Sequence, residues 1–372
     1  MDLSSEDALR LNVLLANRPQ AIRIDESALT LHALTEKGES TLTLNPTCRE
    51  DLYLRKIREA LSGHALGSPG GYPVYLKRWS RMGQTRDDNL EQLLLIGEPE
   101  AVVAVTSANG LTNELARRAW WINQDPDNAR RMLRNQRVRA GGIGPELARF
   151  LIEYLPFETE PLTIVESLRL VLQPGLINEE TRGVLWKRCA RKPIYYLGFL
   201  AGIPDQLPQL PSARAMSADE SESWRALADS GNSYATMMQR VSCPQGQAFI
   251  MTLLKVLEKP ANQDVVTLLL DVIRDYFSSL RPEGDPDLTL EALQKEADTL
   301  QDEALQVCCG VNETREAELR TLYLLSGLGY GIVRPVFSRT DAIGSLMRKK
   351  LAPVLAPLKQ HLQLLLEQSS NL

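Results

Sequence analysis

Apolar positions recur along the chain with two different periods, and the changeover falls in the first third. From Ser5 to Leu15 the apolar residues Leu11, Leu14 and Leu15 share one helical face, and Ser4 or Ser5 stands where an N-cap is needed. Three short strand-like runs follow, Ala21–Ile24, Leu29–Leu34 and Thr41–Leu44. Glu36-Lys37-Gly38-Glu39 supplies the turn between the second and third, so an antiparallel meander is expected. Asn45-Pro46-Thr47 then opens a helix to about Leu61, on which Leu54, Ile57, Arg58 and Leu61 are spaced three and four apart. Further on, Tyr72–Lys77 reads as a strand and Asp87–Ile96 as a helix. The fully apolar run Ala101–Thr106 reads as a buried strand.

Beyond about residue 110 the period is helical throughout. Val266, Leu269, Leu270, Ile273, Tyr276, Phe277 and Leu280 form one broad stripe. Leu290, Leu293, Ala297, Leu300, Ala304 and Val307 alternate steps of three and four, a seam suited to an antiparallel partner over Glu313–Leu328. The predicted fold is therefore α+β and mostly α-helical. A small α+β domain with a short mixed or antiparallel sheet is placed at 1–121, and a helical, bundle-like region at 122–372. The Pro-bearing stretch 204–223 is a candidate division of the second part.

The 372 residues contain 44% apolar and 24% charged residues, as a globular chain does. A net charge of −5 argues against bulk coating of DNA or of an anionic membrane. Charge is nonetheless segregated. Residues 115–149 carry eight Arg against three acids, whereas 285–318 carry ten acids against two bases. No run of 18 apolar residues exists, and the acidic N-terminus lacks the features of a secretory signal, so a cytoplasmic protein without membrane insertion is expected. The five cysteines form no C-x-x-C pair, and the three histidines have no metal-ligand spacing. Neither a metal nor a cofactor is expected, and no catalytic constellation is spelled out.

Two basic–aromatic segments are the candidate binding elements. In the first, Gly67, Gly70 and Gly71 could bring backbone amides to an anion, and Tyr72, Lys77, Arg78, Trp79 and Arg81 follow. A tight turn leading into an edge strand accounts for the same residues. In the second, Arg117, Arg118 and Trp121 lie on one helix, with Arg117 and Trp121 four apart and able to stack. Arg130, Arg134 and Arg137 extend it as a stripe. An ordinary solvated or internally paired face accounts for that arrangement as well. Gly141-Gly142-Ile143-Gly144-Pro145 and Gly327-Leu328-Gly329-Tyr330-Gly331 read as helix boundaries. Cys308-Cys309 reads as one packed thiol beside one near a helix end.

Several phrases resemble members of the DsrS family. They are Arg10–Leu15, Gly67–Gly83, Leu90–Val105, Ala116–Trp121 and Leu322–Arg339. DsrS is encoded with the reverse-acting dissimilatory sulfite reductase of sulfur-oxidising bacteria. The resemblance implies the cytoplasm, the oxidation of stored sulfur, and a non-enzymatic accessory or regulatory role through protein partners of that system. It assigns no residue a role. Two alternatives stand beside it: a regulator that binds RNA or another polyanion through the Arg/Trp clusters, and a sulfur-relay or small-molecule enzyme using a cysteine.

Overall fold

The computed structural model describes residues 3–66, 89–281 and 283–366. The fold is α+β and mostly helical, with one three-stranded antiparallel sheet near the N-terminus followed by helices. Two compact units divide it, the first comprising residues 1–156 with 173–177, the second 157–172 with 178–372.

The first unit contains α1 (Ser5–Ala16), β1 (Ala21–Asp25), β2 (Thr30–Thr35), β3 (Gly38–Thr43), α2 (Glu50–Leu66), α3 (Leu90–Leu93) and α4 (Pro99–Thr106). It continues with α5 (Asn113–Ile122), α6 (Pro126–Arg134), α7 (Gln136–Arg139) and α8 (Gly144–Tyr154). The strands form the expected meander in the order β1-β2-β3, with Arg23 opposite His32 and His32 opposite Thr41. Alternation puts Ile22, Leu31, Ala33 and Leu42 on the inner face, where Leu11 and Leu14 of α1 and Tyr53, Leu54 and Ile57 of α2 cover them. Ser4 caps α1 by accepting from the Asp7 amide at 3.1 Å. Asp7 itself is fully buried and ties three elements together. It accepts from Tyr53 Oη at 2.6 Å and from the Asn45 amide at 2.8 Å.

Two expectations fail in this unit. Ala101–Thr106 is not a strand but most of α4, with Pro99 in its first turn. A short apolar run buried on nearly every side has no period to separate helix from strand, and the Pro at the helix start decides it. Of the helix expected over Asp87–Ile96, residues 87 and 88 lie outside the described residues, and the rest holds only α3. The residues after it form turns in which Leu94 O accepts from the Ile22 amide of β1 at 2.9 Å. The strand expected over Tyr72–Lys77 lies outside the described residues.

The second unit runs α9 (Pro161–Val171), α10 (Glu179–Cys189), α11 (Ile194–Gly202), α12 (Ala218–Asp229), α13 (Ser233–Ser242) and α14 (Pro244–Glu258). It is completed by α15 (Gln263–Phe277), α16 (Leu290–Thr299), α17 (Glu303–Val311), α18 (Glu316–Ser326), α19 (Arg334–Phe337) and α20 (Gly344–Leu364). The stripe on α15 is buried as expected, from Val266 through Phe277, and Leu280 follows it into the core. Helices α9 and α11 cross closely, because a Cβ on Gly198 would stand 2.5 Å from Leu168 Cβ. The 290–307 seam is not one helix. It breaks at Leu300–Asp302, where Asp302 caps α17 by accepting from the Ala304 and Leu305 amides, and Val307 is left exposed. The seam's first half does meet α18, with Leu293 and Ala297 buried along with Leu319, Leu322 and Leu325. An acidic side chain two residues ahead of Ala304 offers the backbone a cap, and that local bond outweighs the gain from extending the seam.

The 204–223 stretch is anchored by charge within this unit. Arg240 grips Asp205 through two bonds, at 3.0 and 2.6 Å, and Arg214 grips Glu318 through two more at 2.7 Å. Arg315 adds Glu220 at 2.9 Å and Glu318 at 3.1 Å, so four mostly buried side chains alternate in sign.

Candidate functional site

The first basic–aromatic segment, from Gly67, Gly70, Gly71 and Tyr72 to Lys77, Arg78, Trp79 and Arg81, lies outside the described residues. The second can be built from its sequence upward. Thr112 caps α5 by accepting from the Leu115 amide at 3.2 Å. Glu114 then occupies the first turn, three residues before Arg117 and four before Arg118. Both arginines close on it. Arg117 donates Nε and Nη2 at 3.0 and 2.7 Å, and Arg118 donates Nε at 2.9 Å. The Arg117 hydrogen bonds, with Arg118 behind them, hold the Glu114 carboxyl down to about 2.

The tryptophans are occupied too. Trp120 is buried and donates its indole N–H to Glu146 at 3.0 Å, with Phe150 edge-on at 4.8 Å. Trp121 is half-buried, but the cation over its ring is not Arg117. It is Arg23 of β1, 5.0 Å from the ring centroid. The expected Arg117–Trp121 stack is replaced because Glu114, one turn back, takes the Arg117 guanidinium first. The sequence brings Arg117 and Arg118 together. The fold brings Trp121 to a partner nearly a hundred residues away.

The arginine stripe after α5 also departs from its linear pattern. Arg130 is buried and pairs with Asp127, while Arg131 donates to Asn128 Oδ1 at 3.0 Å. Arg139 turns back and donates to the carbonyls of Leu133 and Arg134 at 2.8 and 2.9 Å, capping the end of α6. Arg134 and Arg137 are exposed at this α6–α7 corner, held there by Asn135, whose side chain accepts from the Arg137 amide at 2.9 Å.

The thiols are set up for packing. Burial pushes Cys189 up to about 12 and Cys308 up to about 11, and raises Cys309. Cys308 donates to Asn232 Oδ1 at 3.3 Å, while Cys309 beside it is half-buried. A thiol so held is protonated at neutral pH, and the thiolate is the nucleophilic form. Cys243 heads α14 and donates to Arg240 O at 3.0 Å. Among the described residues no three His, Cys, Asp or Glu side chains converge as metal ligands, and no helix is long and apolar enough to cross a membrane. His361 meets Thr321 Oγ1 at 3.2 Å, and burial lowers its pKa.

Sequence reasoning missed a cleft in the first unit, lined from β1, the β1–β2 turn, His32 of β2, α2, the start of α4 and the end of α5. Arg58 of α2 is its clearest sequence signal, since an arginine on an otherwise apolar helical stripe calls for a buried partner. It has one, Glu98 at 2.8 Å, and it also pairs with the exposed Glu26. Compared with protein-family models, with curated proteins and with solved structures, the chain matches none.

Proposed function

We propose that the chain is a non-enzymatic accessory or regulatory protein that works through contact with an acidic protein partner. The setting is the one the DsrS resemblance implies, cytoplasmic sulfur oxidation. The observation that supports this reading best is the α6–α7 corner. Arg134 and Arg137 stand exposed there on backbone that Asn135 and Arg139 brace. An exposed arginine presents a planar fork that takes a carboxylate through two parallel bonds, and charge across such a contact sets partner choice and capture rate. The polyanion alternative needs tryptophan faces open to bases, and both candidates in α5 are taken, Trp120 by burial and Trp121 by Arg23.

The test is affinity capture of the tagged full chain from a sulfur-oxidising host, beside the variant carrying Arg134→Glu and Arg137→Glu. The wild type should retain an acidic protein that is released as salt rises, and the variant should lose it while its thermal midpoint holds. Equal capture by both proteins overturns the reading. So does a retained species that nuclease removes.

A further inference from the structure

The beginning of α20 breaks the local rules for a helix start. Ile343 stands at its N-cap, a position that favours a side chain able to accept hydrogen bonds, and no side chain caps the helix. No acid lies in its first turn to meet the positive end of the helix dipole. Instead Arg348, Lys349 and Lys350 follow within two turns, and residues 342–366 contain no Asp or Glu. Departures of this kind lower stability, so they mark places where something other than folding sets the residues.

Two aliphatic side chains protrude at the same place. Ile343 is 70% exposed and Leu346 55%, while Met347 and Leu351 anchor the helix in the core. The backbone beneath them is braced. Gly344 donates its amide to Ala261 O at 3.3 Å, and Gln263 donates to Thr340 O at 2.8 Å. Arg348 donates to Pro260 O at 3.3 Å, and Lys350 to Thr340 Oγ1 at 2.6 Å. These bonds tie the approach to α20 to the turn between α14 and α15. The charged residues of the two joined segments, 258–264 and 339–350, are Lys259, Arg339, Arg348, Lys349 and Lys350 against Glu258, Asp264 and Asp341. This end is therefore basic in a chain whose net charge is −5.

We infer that this end of the second unit docks on an anionic lipid surface, with Ile343 and Leu346 reaching below the headgroups and Arg339, Lys349 and Lys350 among their phosphates. Exposed aliphatics flanked by bases match a layer that is anionic outside and apolar beneath. The contact is peripheral and needs no helix long enough to cross the bilayer. A protein partner fits less well. Side chains that stand this far out need a pocket to fill, and a bilayer accepts them without one. Lysine is depleted at protein interfaces and arginine enriched, yet this chain of 31 Arg and 11 Lys sets two adjacent lysines here.

Flotation of the full chain tests this, with vesicles of phosphatidylglycerol and phosphatidylcholine in equal parts beside vesicles of phosphatidylcholine alone. The chain should float with the mixed vesicles, stay behind with the neutral ones, and leave the mixed ones as salt rises. Ile343→Ser and Leu346→Ser should each weaken the partition about tenfold, as removing a buried aliphatic side chain does. Lys349→Gln and Lys350→Gln should each weaken it about fivefold. All four side chains are exposed, so the thermal midpoints should hold. The variant carrying Arg134→Glu and Arg137→Glu should float like the wild type, which keeps this test separate from the capture of an acidic protein. The inference is overturned if the chain ignores mixed vesicles at low salt, if it floats equally with both kinds, or if Ile343→Ser floats like the wild type. Loss of the captured acidic protein by Ile343→Ser, with no flotation of the wild type, would assign the face to a protein and overturn it as well.

Discussion

At the scale of residues, the arginines of this chain act mainly as internal clamps, and the clearest is the Glu114 pair. The Glu114 side chain is 48% exposed, so solvent screens the interaction and its worth is about 0.5 kcal/mol, as for exposed helix pairs. Its pH dependence is still readable. The folded carboxyl sits at about 2 against an ordinary 4.5, so the stabilisation is fully present above 4.5 and is lost as pH falls through the folded value. The thermal midpoint of Glu114→Gln should therefore lie slightly below that of the wild type at pH 6–7. The gap should close between about pH 4.5 and 2. A constant gap across that range would show that the glutamate acts by packing. The Glu114 spacing, three and four residues from its partners, is present in the sequence, but the expected stack pairs Arg117 with Trp121 instead. Arg23 was not legible as the partner of Trp121, because only the packing of α5 on β1 joins them.

At the scale of elements, two glycines inside helices make opposite demands. Gly198 in α11 lets α9 approach, and a methyl there would meet Leu168 Cβ at 2.5 Å. Gly183 in α10 has nothing within 4 Å of the same position. Gly198→Ala should destabilise by about 1–3 kcal/mol through overpacking. Gly183→Ala should stabilise by about 0.5–1 kcal/mol through helix propensity. Paired denaturant melts check the two signs, and equal shifts would refute the close crossing. The elements that the sequence revealed are those with a long period or strong punctuation: the meander, α1, α2 and α15. Ala101–Thr106 misled because its apolar residues run almost unbroken, and the 290–307 seam because Asp302 ends it by capping. Of the candidate site, α5 was found, and a solvated or internally paired face was the expected reading of its arginines. The cleft was not found, since its lining comes from separate elements of the first unit.

At the scale of the whole molecule, the five thiols report on opening. Cys189 and Cys308 are fully buried, whereas Cys48, Cys243 and Cys309 are half-buried. In a native chain treated with a disulfide reagent, Cys189 and Cys308 should react only as fast as the second unit opens, and promptly once denaturant unfolds it. Peptide mapping of the labelled sites checks this. Prompt labelling of Cys189 in the native chain would show that α10 is not packed as described. The same burial predicts that Cys189→Ser or Cys308→Ser disturbs stability rather than any chemistry, which melting curves would register.

The anchoring of the 204–223 stretch has a consequence for the chain's continuity. Asp205 is held by Arg240 on one side of the intervening residues, and Arg214 by Glu318 on the other. A backbone scission between 206 and 213 would therefore leave each new end moored to the helical body by a two-bond ion pair. The pieces would also stay joined by the buried packing of α9 and α11 on α14 and α15, which spans the cut. In this stretch the covalent thread is backed by both, so a nick there should leave the second unit folded.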